Sequence, residues 1–457
     1  MAGLLAGCSG GATPAPTDTA PATTAPDSAP PVESPSEAAG LPDCSDIGDI
    51  TLTVGFSEAG EVIQDEFKKL AAEFEAQNPN VKIQINAKDW ASAWDTIKLA
   101  MAGDNPPDVM QANHGWTING ALMKAGLILN LDEYATAFGW QDAFPASALK
   151  VQKFTTDGKT FGEGSIWSMT QAIQYVGVFY NKEKLAALGV TDVTTLDTKD
   201  AFLALLDQAK AAGELPVMLG DSDRWPALHN LSLFNGWYVP TEDINNWVFN
   251  VPGSTYNDAG HVQAGNDFRA WMEKGYYNED ALATSFNDAV ARFGKGEGVF
   301  YIGGTWALGD IYKAMGDNAG FMLYPVGDSG KHAAVGGYSL PFVVSSKTKY
   351  PDCAASFVNF ITQSPEAIAA QIAAGRPSSA LAGANATIDN PLLKQMADEY
   401  ARLNADNGLF TWEDWPTPTM GTLMMAQSQL LLGGQMTSEA YAKAVQDNWD
   451  EYMASLP

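Results

Sequence analysis

The chain has 457 residues, of which 46% are hydrophobic and 11% aromatic. This length exceeds one ordinary hydrophobic core, so we expect two folded domains. Acidic residues outnumber basic ones by 54 to 26, for a net charge of −28. A nucleic acid would be repelled, because its binding depends on Lys and Arg that neutralise phosphates. An anionic membrane surface would be repelled too, so the composition favours a protein that works in solvent on neutral or cationic ligands.

The N-terminus carries Leu-Ala-Gly-Cys at 5–8. This segment resembles the lipobox of bacterial lipoproteins, which implies cleavage before Cys8 and attachment of a diacylglycerol to its thiol. The positive n-region and long apolar h-region of a full signal peptide are missing. Residues 1–8 therefore fit a truncated signal, and the alternative is an accidental match in a start rich in Ala and Gly.

Residues 9–45 consist mainly of Gly, Ala, Thr, Pro and Ser. Such a segment buries too little apolar surface to offset its ordering entropy, so we expect a disordered, extended tether. The sequence has no apolar stretch of 18 residues that would span a bilayer. Together these features predict an extracellular protein that contacts the membrane through a lipid anchor alone. The long spacer favours a Gram-positive cell.

The remaining cysteines are Cys44 and Cys353. They form neither a CxxC pair nor a zinc-ligand spacing. Outside the cell, where disulfides persist, an even pair of cysteines makes a disulfide a reasonable hypothesis. The alternative is two unpaired, buried thiols.

The body of the chain alternates between strand and helix patterns. In chain order we predict a strand at 51–56, a helix at 61–77, a strand at 81–85, a helix at 90–102, a strand at 108–110 and a helix at 118–125. The pattern continues with strand 174–180, helix 199–212, strand 215–219, helix 265–275, and strands 299–302 and 342–345. From 354 onward the chain is mostly helical. This alternation predicts an α/β fold, with parallel sheets covered by helices.

Seven short segments occur in a distinctive order. They are Phe-Glu-Ala-Gln-Asn-Pro-Asn at 74–80, Gly-Asp-Asn-Pro-Pro-Asp-Val at 103–109, Gly-Val-Phe-Tyr-Asn-Lys at 177–182, Phe-Gly-Lys-Gly-Glu at 293–297, Ile-Gly-Gly-Thr-Trp at 302–306, Gly-Gly-Tyr-Ser-Leu-Pro at 336–341 and Ala-Ala-Ser-Phe-Val-Asn-Phe at 354–360. In order and spacing they resemble the extracellular solute-binding proteins of bacterial carbohydrate ABC importers, the group typified by maltose-binding protein. The resemblance covers nearly everything from 49 to 457.

The resemblance implies a two-lobed periplasmic-binding-protein fold, with the ligand in the cleft between two α/β lobes. By analogy the N-terminal lobe takes 46–178 with 338–400, and the C-terminal lobe takes 179–337 with 401–457. Both Cys44 and Cys353 then fall with the first lobe, which favours the disulfide. The implied ligand is a sugar or oligosaccharide, and the implied partners are the permease subunits of an ABC importer. We expect a monomer without a cofactor or a metal.

Ligands of open α/β folds sit beyond the carboxyl ends of strands, and sugars are held by aromatic rings together with planar polar side chains. These rules, with the resemblance, select candidates near predicted strand ends and lobe crossings. The candidates are Ser57, Glu58, Asp89, Trp90, Asn113, His114, Trp116, Met169, Gln171, Asp223, Arg224, Trp225, Gly304, Trp306, Gly337, Tyr338, Arg376, Trp412 and Trp415.

Among these candidates, Trp306 ranks first because its Gly-Gly-Thr-Trp loop matches the family's stacking position. Trp116, Trp225 and Trp415 come next. His114 has an alternative role as a hydrogen-bonded loop residue. Arg376 has an alternative role as the ion-pair partner of one of the many acidic residues. Glu58 and Asp223 could instead be solvated surface groups. We expect four other tryptophans to be structural: Trp94, Trp237, Trp247 and Trp271.

Two other function classes are weighed against a sugar receptor. A glycoside hydrolase would need two placed carboxylates, but acids are too abundant to select a pair. The sequence has no HExxH and no P-loop, and Pro341 replaces the second Gly of a nucleophile elbow. A receptor for a polyamine or a peptide is the other alternative, because aromatic faces also hold cations. The sequence therefore favours a binding protein that is not an enzyme.

Overall fold

The computed structural model describes residues 41–45, 47–58 and 60–456, and its strands and helices lie within these ranges. The strands are β1 (Ile50–Phe56), β2 (Val81–Ala87), β3 (Val109–Gln111), β4 (Lys153–Phe154), β5 (Ser165–Ile166), β6 (Ile173–Asn181), β7 (Val217–Met218), β8 (Phe300–Gly304), β9 (Ala319–Met322), β10 (Ala334–Tyr338), β11 (Phe342–Val344) and β12 (Leu409–Phe410).

Helices cover both sheets and make up most of the C-terminal part. They are α1 (Glu61–Gln77), α2 (Trp90–Ala102), α3 (Ala121–Lys124), α4 (Asp132–Ala137), α5 (Trp140–Ala143), α6 (Ala146–Lys150), α7 (Lys182–Ala187), α8 (Lys199–Ala211), α9 (Trp225–Tyr238), α10 (Thr241–Val248), α11 (Ala259–Glu273), α12 (Phe286–Gly294), α13 (Leu308–Met315), α14 (Pro351–Gln363), α15 (Pro365–Ala373), α16 (Pro391–Ala405), α17 (Met420–Leu432) and α18 (Ser438–Ser455).

The first sheet has the strand order β11-β3-β1-β2. Strand β1 runs parallel to β2 and β3, and β11 closes the edge antiparallel to β3. Helix α1 places Phe67, Leu70 and Phe74 on one buried face, at the spacing of an amphipathic helix. The Phe67 ring stacks on Phe56 of β1, with ring centroids 4.0 Å apart. These contacts fix the end of β1 relative to the start of α1.

The second sheet has the order β12-β10-β6-β8-β7, with β9 also on β6. Strand β6 runs antiparallel to β8, β9 and β10, while β7 is parallel to β8 and β12 is parallel to β10. The burial of β6 is almost complete, which agrees with the near-continuous apolar sequence of a central strand. The carboxyl ends of β7, β8, β10 and β12 therefore meet the amino end of β6 at one edge.

The chain crosses between the sheets in segments that lie side by side. Met169 and Phe342 exchange backbone hydrogen bonds of 3.0 and 2.7 Å, and the Ser339 amide donates to the Ala172 carbonyl at 2.9 Å. Strand β6 starts at Ile173 and pairs only within the second sheet, so the expected lobe boundary at 178/179 would divide this strand. The boundary at 400/401 would likewise cut α16, which packs against β9 of the second sheet.

Most predicted elements occur, and the differences have physical reasons. Helices 61–77 and 90–102 have the bounds that the sequence predicted. The helix predicted at 265–275 begins earlier, because the Asp258 side chain caps the His261 amide at 2.9 Å. Helix α9 escaped prediction because it is buried on nearly all sides and shows no polar face. The tryptophans expected to be structural are buried: Trp94, Trp237, Trp247 and Trp271.

A disulfide joins Cys44 to Cys353, with Cα atoms 4.6 Å apart and a sequence separation of 309. It ties the start of the described chain to the first turn of α14, and the Cys44 carbonyl also accepts a 2.7 Å hydrogen bond from Asn80. The structure thus forms the pair that the sequence hypothesis named. Cys8 and residues 9–40 of the expected tether lie outside the described residues.

Candidate ligand-binding pocket

An aromatic pocket lies where strand ends of the two sheets face each other. It encloses roughly 600 Å³ of empty space, part of it open to solvent. The first sheet supplies groups that follow β1, β2 and β3, and the second sheet supplies groups that follow β7, β8 and β12. The lining residues are Glu58, Trp90, Asn113, Gln174, Trp225, His229, Trp306, Tyr338, Leu340, Trp412, Asp414, Trp415 and Met425.

Three indole rings form a continuous wall on the side of the second sheet. The ring centroid of Trp306 lies 5.8 Å from that of Trp225 and 5.9 Å from that of Trp412. Gly304 makes this position of Trp306 possible, because a Cβ on Gly304 would stand 1.9 Å from the Trp306 ring. Flat indole faces at this spacing can stack on the apolar C–H faces of a ligand.

His229 stands among the three indoles, one turn after Trp225 on α9. Its ring lies 4.7 Å from Trp412, 5.2 Å from Trp225 and 5.5 Å from Trp306. Nδ1 is buried without a hydrogen-bond partner in the described structure. Burial lowers the pKa of the imidazole to about 3, so His229 is neutral at ordinary pH. The sequence missed this residue because α9 was not predicted, and its spacing of four from Trp225 would have been the signal.

Glu58 lies at the end of β1 and is paired with Arg376. Arg376 donates from Nη1 to Oε1 of Glu58 at 2.7 Å, and both side chains are buried. Gln174 also approaches Oε1, at 3.5 Å. Burial raises the pKa of the Glu58 carboxyl, and the guanidinium of Arg376 opposes part of that shift. Arg376 itself lies behind the pocket wall, so its predicted contact with a ligand is replaced by contact with Glu58.

Asp414 is the second carboxylate in the lining, on the loop between β12 and α17. Asn113 approaches its Oδ2 at 3.5 Å. Its backbone carbonyl accepts a 2.8 Å hydrogen bond from Thr117 Oγ1, which holds the loop against the first sheet. Burial raises the pKa of Asp414 to about 7, and the neighbouring charge of Glu413 adds to the shift. Asp414 was not among the predicted residues, although it lies between the predicted Trp412 and Trp415.

The pocket continues into a mouth that carries more charge. Asp89 and Asp223 line this mouth, together with Lys88. Asp89 caps α2 through the Ser92 amide at 2.8 Å, and Asp223 accepts from the Phe286 amide at 2.7 Å. Arg224 lies beside the mouth rather than in the pocket, and its Nη2 is 3.5 Å from a carboxylate oxygen of Asp95 on α2.

Trp116 is not part of the pocket wall, which corrects its expected stacking role. Its side chain is fully buried, and its ring packs against Phe154 at 4.9 Å and Tyr452 at 6.0 Å. It starts a turn of π-helix, and its amide donates to the Trp415 carbonyl at 2.8 Å. Trp116 therefore supports Trp415 from behind.

His114 also lies behind the pocket wall. Its two ring nitrogens lie 3.1 Å from the Val151 carbonyl and 3.0 Å from the Ser339 carbonyl. Burial lowers the pKa of this imidazole to about 4. The ring centroid is 4.9 Å from that of Trp415. His114 is thus the hydrogen-bonded residue that the alternative interpretation described.

Five other predicted residues are outside the lining. The Ser57 amide donates to Gln111 at 2.9 Å, the Gln171 side-chain amide donates to the Ile361 carbonyl at 2.8 Å, and Met169 is buried at the crossing. Gly304 and Gly337 have no side chain to offer, and Gly337 has a φ of +139° that suits glycine. The predicted residues that do line the pocket are Glu58, Trp90, Asn113, Trp225, Trp306, Tyr338, Trp412 and Trp415.

Two kinds of feature are absent from the described part of the chain. No group of three or more His, Cys, Asp or Glu side chains there is arranged to hold a metal ion. Within the same residues, no helix combines the length and the apolar character needed to cross a bilayer.

Comparison with known proteins places the chain in a family. An uncharacterised ABC transporter extracellular-binding protein of Pyrococcus horikoshii is 24% identical over 308 residues, which cover 65% of this chain and 64% of that protein. The chain thus spans less than two thirds of that relative. The multiple sugar-binding protein of Streptococcus mutans is 23% identical over 315 residues, which cover 68% of this chain and 71% of that protein.

Among solved structures, a chitin oligosaccharide binding protein has a TM-score of 0.77 at 22% identity. The match covers 89% of this chain and 100% of that chain. This likeness establishes the two-lobed fold of periplasmic sugar-binding proteins. Residues 69–395, more than half of the chain, match the family described as bacterial extracellular solute-binding protein. The chain belongs to the bacterial extracellular solute-binding protein family.

Proposed function

We propose that this protein is the receptor of a carbohydrate ABC importer. It captures a sugar or oligosaccharide in the pocket between the two sheets, by aromatic stacking and by hydrogen bonds to hydroxyl groups. The wall formed by Trp225, Trp306 and Trp412 carries this proposal, because three adjacent indole faces match the apolar faces of pyranose rings. The names of two relatives, the multiple sugar-binding protein and the chitin oligosaccharide binding protein, agree with this ligand class.

Polar groups in the lining suit the rim of a sugar. Glu58 accepts hydrogen bonds, and Asn113 and Gln174 both donate and accept. Neutral His229 can offer a ligand its Nε2, since its Nδ1 is buried. These groups converge on a largely apolar pocket, which is the usual composition of a small-molecule site. Since they come from both sheets, a bound ligand would bridge them.

Closure around the ligand is the second part of the proposal. We place the first lobe at about 41–172 with 340–390 and the second at about 173–338 with 391–456, following the sheets to which β6 and α16 belong. The crossings at 169–172 and 339–342 form the hinge, and the closed form is presented as a monomer to the permease subunits.

Binding without catalysis is the third part. A hydrolase mechanism would assign Glu58 and Asp414 as its two carboxylates. Glu58 is already engaged by Arg376 at 2.7 Å, and the family that the chain matches is one of solute-binding proteins. We therefore propose that bound saccharides leave the pocket unchanged. Intact oligosaccharide after prolonged incubation with the protein is the expected result, and released sugar would contradict it.

Location is the fourth part. We propose that Cys8 carries a diacylglycerol and that residues 9–45 tether the receptor outside a Gram-positive cell. The lipobox-like segment and the polar, Pro-rich composition after it support this. Mass spectrometry of the N-terminal peptide of the natural protein should find a lipid on Cys8. An unmodified thiol there would contradict the anchor.

A thermal-shift screen tests the main proposal. Mono- and oligosaccharides, polyamines and peptides are added in turn, and a ligand that binds the folded state raises the unfolding temperature. Isothermal titration calorimetry then measures the affinity of each hit. We expect at least one saccharide to shift the transition. A shift with spermidine or a peptide and with no saccharide would overturn the carbohydrate assignment.

A further inference from the structure

The two carboxylates of the pocket differ in how their charge is balanced. Glu58 has Arg376 at 2.7 Å. For Asp414, the described residues provide no Lys, Arg or His nitrogen within 4 Å, and the only side-chain neighbour at hydrogen-bond range is Asn113 at 3.5 Å. Asp414 is nonetheless only 5% exposed. A buried carboxylate without a counter-ion is costly, and two things can neutralise Asp414: a proton, which its pKa of about 7 allows, or a cation that enters the pocket.

The surroundings of Asp414 favour a positive charge. The lining contains five indole rings and one phenol ring, whose faces attract cations: Trp90, Trp225, Trp306, Trp412, Trp415 and Tyr338. The mouth adds Asp89 and Asp223, with Lys88 opposing them, and the whole chain carries a net charge of −28. Carboxylates therefore outnumber cationic groups in the lining of the pocket and its mouth, and a neutral ligand would not change that balance.

We propose that the saccharide recognised by this pocket carries a protonated amine, which pairs with Asp414. This inference rests on the proposed function and narrows its ligand class from sugars to amino sugars with a free amine. A hydroxyl group would donate one hydrogen bond to Asp414 but would leave the charge of the ionised carboxylate without a counter-ion. An ammonium group donates hydrogen bonds and neutralises the charge at once. Glu58, whose charge Arg376 already balances, accepts from neutral hydroxyls.

The same argument excludes an N-acetylated sugar as the preferred ligand. An acetamido group carries no charge, and its single N–H replaces three ammonium donors. It is also larger than either an amine or a hydroxyl group. Comparing the affinities of one sugar with a free amine, an acetamido group or a hydroxyl group at the same carbon therefore separates recognition of charge from recognition of shape.

The experiment compares matched saccharides by isothermal titration calorimetry at pH 7. One set consists of the glucosamine disaccharide of chitosan, its N-acetylated form and cellobiose, which share their linkage and differ at carbon 2. The second set consists of glucose derivatives with the amine at carbon 3 or at carbon 6. The affinity of each is compared with that of glucose itself. We expect one amine form to bind at least about tenfold more tightly than its hydroxyl and acetylated counterparts. Asp414→Asn should abolish that preference.

Glu413→Gln is the matched control. It removes a buried carboxylate from the same loop, but Glu413 accepts from Asn235 at 2.8 Å and does not line the pocket. This variant should keep the preference for the amine. Thermal unfolding of both variants checks that the loop still folds, and binding of the hydroxyl form to Asp414→Asn provides a second check.

Equal affinity for hydroxyl and amine forms would overturn the inference and leave the proposed function standing. A preference that survives in Asp414→Asn would do the same. If no saccharide binds in any form, the proposed function fails, and this inference fails with it. If spermidine binds and no saccharide does, the proposed function and this inference both fail, because the pocket would then bind a cation that is not a sugar.

Discussion

Arg376, after α15, donates from Nη1 to Oε1 of Glu58, after β1, at 2.7 Å, although the two residues are 318 positions apart in sequence. Their side chains are 2% and 4% exposed, so each is removed from water together with its partner. The guanidinium thus keeps a carboxylate fixed at the wall of the pocket. The pair is internal to the protein, and Arg376 binds one of the two carboxylate oxygens of Glu58.

Arg376→Met should destabilise the protein by about 3–5 kcal/mol, because it leaves the Glu58 carboxylate buried without a partner. Urea unfolding monitored by fluorescence measures this loss. The double variant Arg376→Met with Glu58→Gln should recover part of the loss, since no charge then remains. Arg269→Ala is the control: its pair with Glu273 is largely exposed, so the loss should stay below about 1 kcal/mol. Equal losses in both single variants would contradict the buried-pair argument.

Trp306→Ala should weaken saccharide binding by about 2 kcal/mol or more, because it removes the central indole of the stacking wall. Calorimetric titration with a saccharide found in the thermal screen measures the loss. The variant should remain folded, although Trp225 and Trp412 lose a packing neighbour. Unchanged affinity would remove Trp306 from the binding mechanism.

Trp140→Phe is the control for that experiment. Trp140 is fully buried in α5, and its indole N–H donates to Asn359 at 2.9 Å, away from the pocket lining. This variant should lose stability while keeping its affinity. A loss of affinity as large as that of Trp306→Ala would mean that the assay reports folding rather than stacking.

The strand-end rule accounts for what the sequence could predict. Glu58, Asn113 and Trp306 come soon after strands whose sequences either alternate between apolar and polar residues or are continuously apolar. Their position at the sheet edges could therefore be predicted from local sequence patterns. His229 was not readable in this way. It lies within a helix that is buried on nearly all sides, where apolar and polar residues form no separate faces that would mark the helix or its orientation.

Trp116 illustrates a different limit. It follows the end of β3 by five residues, where Asn113 follows it by two, and the chain enters a π-helical turn there that directs the indole into the core. Asp414 illustrates a third limit on prediction. It lies close to Asn113 only because of tertiary packing, since the two residues are 301 positions apart in sequence. Strand ends are local features, whereas the direction of a side chain after the strand depends on tertiary contacts.

Stability of the unliganded protein should depend on Asp414 in a defined direction. Burial raises the pKa of Asp414 from 3.8 to about 7, so the folded state holds this proton more tightly than the unfolded state. The stabilising contribution is complete below about pH 4 and is lost as pH rises through about 7. Asp221, whose pKa burial also raises to about 7, acts in the same direction.

Asp414→Asn isolates this contribution from all other titrating groups. The wild type should lose stability relative to the variant between pH 4 and pH 8, by an amount on the order of a few kcal/mol. Urea unfolding at several pH values measures the difference. A constant difference across this range would mean that Asp414 keeps an ordinary pKa in the folded protein.

Replacing both Cys44 and Cys353 by Ser should cost about 2–5 kcal/mol, because the disulfide restricts a long stretch of the unfolded chain. Saccharide affinity should be unchanged, since neither cysteine lines the pocket. Denaturation of the oxidised wild type and of the double variant gives the difference in stability. Two alkylatable thiols in the native protein would contradict the disulfide itself.

Asp310 on α13 caps the start of α1 from a distant part of the chain. Its carboxylate accepts from the amides of Glu61 at 3.1 Å and Val62 at 3.2 Å. The residue before α1 is Gly60, which has no side chain to cap the helix.

Asp310→Ala should therefore lower the free energy of unfolding by about 1–2 kcal/mol. Asp310→Asn should lower it less, because the amide oxygen still accepts the hydrogen bonds, although it lacks the charge that favours a helix N-terminus. Asp317→Ala is the control, since among the described residues this exposed carboxylate accepts one hydrogen bond, of 3.5 Å, from Tyr312. If Asp310→Ala and Asp317→Ala unfold at the same urea concentration as the wild type, α1 is held by the packing of Phe67 and Phe74 alone.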